Sequence, residues 1–213
     1  MTRQKIPAAF SLPAILMMLT FATPMVLWLA DRLTAPLQYG ELAGSISIIL
    51  CVCMWYRRTK PFSLRPSIPS WKISLLILGV IIPVLLVLNI LNQPVSKITG
   101  QARSPFDVLN TNVFLPIAEE LIFRGVIWSI LERIFRKIRR SNAVLAGTSL
   151  LFGVGHLGYW AQTHWPLPFD AVIHALSMVA AGVCFGLLRQ KSESLAIPTA
   201  VHILANAAIL LTQ

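Results

Sequence analysis

Residues Val113 to Leu131, VFLPIAEELIFRGVIWSIL, form an apolar segment interrupted by three ionisable side chains, Glu119, Glu120 and Arg124. In a bilayer each central charge opposes insertion by roughly 2.5 to 3.5 kcal/mol, so the three together cost about 8 to 10. The eleven Leu, Ile, Val and Phe residues of the segment return only about 5, at roughly 0.3 to 0.6 kcal/mol each. A helix with this deficit needs polar partners. Glu120 and Arg124 stand four apart with the acid first, the favourable order for a pair on one helical face. Glu119 points about 100° away from Glu120. It is therefore excluded from that pair and left to face a polar cavity.

The rest of the chain has the composition of a membrane protein. Of its 213 residues, 56% are hydrophobic and 12% charged, with a mean hydropathy of +0.72, far too apolar for an ordinary soluble domain. The expected fold class is all-α, a polytopic membrane helical bundle of about seven transmembrane helices. The apolar runs are Phe10 to Ala30, Leu42 to Tyr56, Ile73 to Asn92, Val113 to Leu131, Ala143 to Gly158, Ala171 to Leu188 and Leu195 to Leu211. The second is short for a full crossing. Phe10 to Ala30 is longer than a signal-peptide core and reads as a retained helix. No lipidation motif is present, and Cys51, Cys53 and Cys184 lie in apolar runs without a CxxC pair, so they read as small buried hydrophobes. No internal repeat is visible. The chain divides into N-terminal helices and connectors over residues 1–112 and a motif-bearing core over residues 113–213, in one integrated membrane domain.

The net charge of +10 resides in short runs between apolar spans, which positive-inside topology explains without nucleic acid. Fourteen Lys and Arg fall in the N-terminal tail and the second, fourth and sixth connectors, against three on the other side. The N-terminus is thus expected in the cytoplasm, with lipid and a peptide or protein substrate as the partners. Span four then runs inward with Glu119 in its outer half or middle. Span five runs outward to His156, and span seven carries His202 and Asn206 outward. Four polar side chains from three helices reach similar depth. Small residues, Gly182 and Gly186 on span six and Gly147, Gly153 and Gly155 on span five, permit close packing. Pro116 and Pro198, each near one of these polar residues, free backbone carbonyls.

Phe152 and His156 lie four apart, as do His202 and Asn206, so each pair lines one helical face. A carboxylate beside a neutral imidazole can hold and deprotonate a water, and a second His with an Asn can donate to an oxyanion. The same donors, Glu119, His156 and His202, can instead bind zinc with one open position, although HExxH is absent. Transport or a structural role would also use intramembrane Glu and His.

The ordered motifs Glu119-Glu120-x-x-x-Arg124, Phe152-x-x-x-His156 and His202-x-x-x-Asn206 resemble those of the CPBP family, the CAAX proteases and bacteriocin-processing (Abi) enzymes. Ser194-Leu-Ala-Ile-Pro198 resembles the family's approach to its third motif. The resemblance implies an intramembrane endopeptidase in which Glu119 and His156 act on water and His202 and Asn206 stabilise the oxyanion. It assigns Glu120 and Arg124 to holding the site together, with Phe152 supporting it. Both zinc-dependent and metal-free glutamate mechanisms are compatible with the family; a metal-free mechanism is the preferred expectation. The minimal loops point to a bacterial plasma membrane. A non-catalytic bacteriocin-immunity or scaffold protein is the main alternative, and an ion-coupled transporter a weaker one, since inverted repeats are missing. His164 reads as part of an interfacial aromatic belt with Trp160 and Trp165, and His174, outside the motifs, as a background residue.

Overall fold

The computed structural model describes residues 40–59, 63, 77–85, 87, 105–135, 141–163 and 168–210. Among these residues the protein is all helical, without strands. Five long helices carry the description: α1, Gly40–Thr59; α2, residues 105–135; α3, Ser141–Thr163; α4, Phe169–Ser192; and α5, Ala196–Leu210. The expected first span, Phe10 to Ala30, lies outside the described residues, as do His164 and Trp165.

One of these helices, Phe169–Ser192, is long and apolar enough to cross a membrane by length and composition. Leu42–Arg57, Asn142–Leu157 and Ala196–Ala208 are shorter apolar stretches. Among the described residues the expected count of seven spanning helices is not confirmed. Several expected boundaries also move. The helix bearing the first motif starts at Pro105, not Val113, because its opening turns carry the polar residues Asn110, Thr111 and Asn112 that hydropathy rejects. Asn110 and Asn112 are nevertheless buried. Likewise α3 continues past Gly158 to Thr163, since Tyr159, Trp160, Ala161 and Gln162 have no feature that breaks a helix; Pro166 and Pro168 follow.

Glycines set the packing of α3 against α4. A Cβ on Gly153 would meet Val179 and lie 2.7 Å from the carbonyl oxygen of Ala175. One on Gly182 would lie 3.0 Å from Cα of Ser149. The two helices thus run antiparallel at backbone contact, as small residues allow where lipid supplies no hydrophobic drive. Gly147 beside Leu131 and Gly155 beside Phe123 give the same antiparallel relation between α2 and α3. The α2–α3 core is built from Ile122, Phe123, Ile127, Trp128, Val144 and Phe152. Ala181, Phe185 and Leu188 of α4 pack with Val201 of α5 and with Ile81 of the short 77–85 segment.

The Leu195 N–H donates to the Ser63 carbonyl at 3.0 Å, which places the end of α4 beside the chain that follows α1. Trp55 and Tyr56 of α1 pack in the same cluster as Leu195. Helix α4 ends on Glu193 in the left-handed conformation, at φ 53°, and the Ser194 hydroxyl accepts the Ala196 N–H at 3.1 Å to open α5.

Around the apolar cores, burial departs from that of a soluble protein. Glu120, Arg124, Thr148, Ser149 and Asn110 are buried, while Leu50, Met54, Leu150, Phe169, Leu176 and Leu204 are exposed. Apolar surface outward with polar groups inward is the arrangement a lipid solvent selects. The cysteines divide: Cys184 is buried, but Cys51 and Cys53 are exposed. Their expected burial fails because α1 turns Ser45, Ile48, Ile49 and Val52 toward its neighbours, leaving positions 51 and 53 on the flanks.

Candidate active site

The buried base of the site is an ion pair. Glu120 and Arg124 are both 0% exposed, and Arg124 Nη1 lies 3.1 Å from Glu120 Oε1. Arg124 Nη2 donates to the Gly182 carbonyl of α4 at 3.1 Å, and the guanidinium carbon sits 4.4 Å from the Phe152 ring centre. Three helices are thereby tied to one cation. The pair is not fully satisfied: Arg124 Nε and Nη1 and Glu120 Oε2 have no hydrogen-bond partner of good angle among the described residues. Its charge must be held mainly by Coulomb attraction and by the Phe152 and Phe185 rings.

The expected division between the two acids is visible in the geometry. Glu120 also accepts from His202, Nδ1 to Oε1 at 3.2 Å, so its reachable oxygen is committed twice. Glu119 instead presents each of its oxygens to a different imidazole. Oε1 lies 3.9 Å from His156 Nε2 and Oε2 lies 3.7 Å from His202 Nε2. Both distances exceed a hydrogen bond. The Glu119 and His156 side chains are 16% and 24% exposed, so this face of the site is the accessible one.

The proton positions follow from the partners. A carbonyl oxygen only accepts, so His156 Nδ1, 2.9 Å from the Phe152 carbonyl, carries the proton and the neutral ring leaves Nε2 bare. With Glu119 ionised, its carboxylate and Nε2 are two acceptors facing one another. Neither can satisfy the other, and a molecule with two O–H donors can satisfy both. His202 likewise commits Nδ1–H to Glu120, with its ring stacked on Phe185 at 4.4 Å between centres.

Asn206 sits one turn further along α5. Its Nδ2 donates to the Thr111 carbonyl at 3.0 Å. The reason is local: α2 is widened there, the Leu115 N–H reaching back five residues to the Asn110 carbonyl. The next donor in that pattern would be residue 116, which is proline and has no N–H. The Thr111 carbonyl is left open, and Asn206 fills it with one of its two amide hydrogens.

Six of the seven expected site residues, Glu119, Glu120, Arg124, Phe152, His156 and His202, thus form one contiguous cluster, with Phe152 at its centre: its ring touches Phe123, His156 and His202 at 5.2, 4.7 and 6.1 Å between centres. Asn206 joins through α2. Residues not singled out from sequence are Phe185, which stacks on His202, and Thr111; Gly182, noted there for packing alone, accepts from Arg124. His174, set aside above, brings its ring to 5.6 Å from His156. No motif marks them; the GxxxG pattern was the one available signal for the Gly182 approach.

Glu119, His156 and His202 are suitable zinc donors by type, and each histidine binds an acceptor through its other nitrogen as a metal's outer shell requires. Among the described residues no three His, Cys, Asp or Glu side chains are gathered so as to hold an ion.

Comparison with known proteins places this cluster in a family. No curated protein and no solved structure matches the chain. The family described as type II CAAX prenyl endopeptidase Rce1-like matches residues 101–208, half of the chain and all three motifs. The protein therefore belongs to the Rce1-like type II CAAX prenyl endopeptidases, within the CPBP group of CAAX proteases.

Proposed function

We propose that this protein is an intramembrane endopeptidase that hydrolyses a peptide bond with water activated by Glu119 and His156. The observation that carries the reading is the pair of facing acceptors, Glu119 Oε1 and His156 Nε2, 3.9 Å apart on the accessible side of the cluster. A water about 2.8 Å from each would direct one O–H to either acceptor and its lone pairs away from them, toward a carbonyl carbon. On attack the new C–O bond forms and the water proton passes to Glu119. The carbonyl oxygen becomes an oxyanion. Collapse breaks the C–N bond while Glu119 returns its proton to the leaving amine nitrogen.

Glu120 orients His202 so that Nε2 faces the reacting space; when Nε2 carries a proton it donates to the oxyanion, and the free amide hydrogen of Asn206 is the second donor. Such donors contribute roughly 10² to 10³ in rate each. Glu120, Arg124 and Phe152 hold the frame. The family's name makes a prenylated C-terminal peptide the first substrate to test, and α1, packed on α2, braces the core. The membrane is a bacterial plasma membrane, with the basic ends of α1, α2 and α4 in the cytoplasm.

The test compares a farnesylated CAAX-type peptide with its unprenylated form, using purified protein in lipid, alongside a search of cell proteins for termini that change with wild type but not with Glu119→Gln. Cleavage that requires Glu119 supports the assignment. Absence of any Glu119-dependent terminus would favour a scaffold role instead.

A further inference from the structure

Helix α4 brings a third imidazole to the site. His174 is half-buried, on the stretch of α4 where Ala171 and Ala175 face inward and Val172, Ile173 and Leu176 face outward. Its ring stands 5.6 Å from that of His156, inclined at 62°. Phe152 stands 4.7 Å from the same ring, also at 62°. His156 is therefore flanked by two rings, each meeting it edge to face. The contact is made possible by the backbone approach at Gly153, whose missing side chain admits Ala175 and Val179 of α4, one residue after His174.

Its position needs this support. The His156 side chain is 24% exposed, and one hydrogen bond to the Phe152 carbonyl fixes a ring nitrogen with a net contribution that is small. Rotation of the ring about its bond to Cβ would point carbon, not Nε2, at Glu119. We infer that His174 is a positioning residue: with Phe152 it brackets His156 and keeps Nε2 directed at Glu119. Shape and edge contact are what it supplies, so another ring of similar size should serve. The inference rests on the proposed role of His156 only for its consequence in catalysis; the bracketing itself is a matter of geometry.

The chain has four histidines, so isotope-labelled imidazole spectra of the full-length protein in lipid nanodiscs can be assigned by single substitutions. Wild type should give one His156 species protonated at Nδ1. In His174→Ala a second orientation should appear, the balance shifting about three- to tenfold, the effect of one lost aromatic edge contact. His174→Phe should restore the single species. With a farnesylated peptide, kcat should follow the same order while KM stays constant. An unchanged His156 spectrum in His174→Ala, or equal disorder in His174→Phe, would overturn the inference. If instead His156 loses its orientation in His174→Ala while His156→Ala still cleaves, the bracketing stands and the proposed reaction fails.

Discussion

Glu120→Gln should destabilise the protein by about 3 kcal/mol, while Glu119→Gln should leave stability unchanged. Removing one partner of a buried pair costs about 3 to 5 kcal/mol, because the other charge remains without compensation. Both groups here are 0% exposed, and Arg124 already has two nitrogens without hydrogen-bond partners. The Gly182 carbonyl and the Phe152 ring are present before and after, so they offer no new compensation. A Gln oxygen can still accept from His202 Nδ1, which saves about 1 kcal/mol and places the loss at the lower end. Against a total of roughly 5 to 15 kcal/mol, that is visible as lower accumulation and an earlier unfolding midpoint in a fixed detergent. The combined Glu120→Gln, Arg124→Met variant removes the stranded charge and should lose less than the sum of its single changes, with a coupling of about 2 kcal/mol. Equal loss for Glu119→Gln and Glu120→Gln, or strict additivity in the double variant, would refute the division between a structural and a reactive acid.

Gly153→Ala should reduce folded protein strongly, since its Cβ would press on backbone at Ala175, whereas Gly155→Ala, 3.5 Å from Phe123, should be tolerated; thermal unfolding of both in one detergent decides it. Reporter fusions after Arg140 and Lys191 should report cytoplasm and one between Tyr159 and Asp170 the outside; a consistent reversal removes the proposed orientation. His202→Asn should retain partial activity through an amide donor and His156→Asn should fall further, measured as kcat on the farnesylated peptide. Protein purified without added metal should contain zinc well below one per chain, and stoichiometric zinc whose removal and return switch cleavage off and on would replace the carboxylate mechanism.

Much of this site could be read from residue order alone. Charges in an apolar run are costly enough that their spacing carries information, so the Glu120–Arg124 pair and the separate direction of Glu119 follow from helical geometry and the price of burying charge. The three motifs sufficed to indicate the family, because each places its residues one turn apart on a single helix. Helix limits were less legible. Hydropathy cut α2 at Val113, yet its polar first turns are buried against α1 and α5.

Contacts made in the folded structure decided the rest. That Pro116 opens the Thr111 carbonyl, and that Asn206 from 95 residues away closes it, depends on a widened turn that no residue pattern announces. Which nitrogen of His156 is bare depends on the Phe152 carbonyl, and which acid holds His202 depends on how α5 lies along α2. His174 shows the limit most clearly: a histidine in an apolar span is uninformative until the Gly153 approach sets α4 against α3 and its ring meets His156. Periodicity assigns a residue to a face of its own helix, but the neighbour that face meets is fixed by side-chain volume and backbone approach between helices, which are properties of the packed bundle.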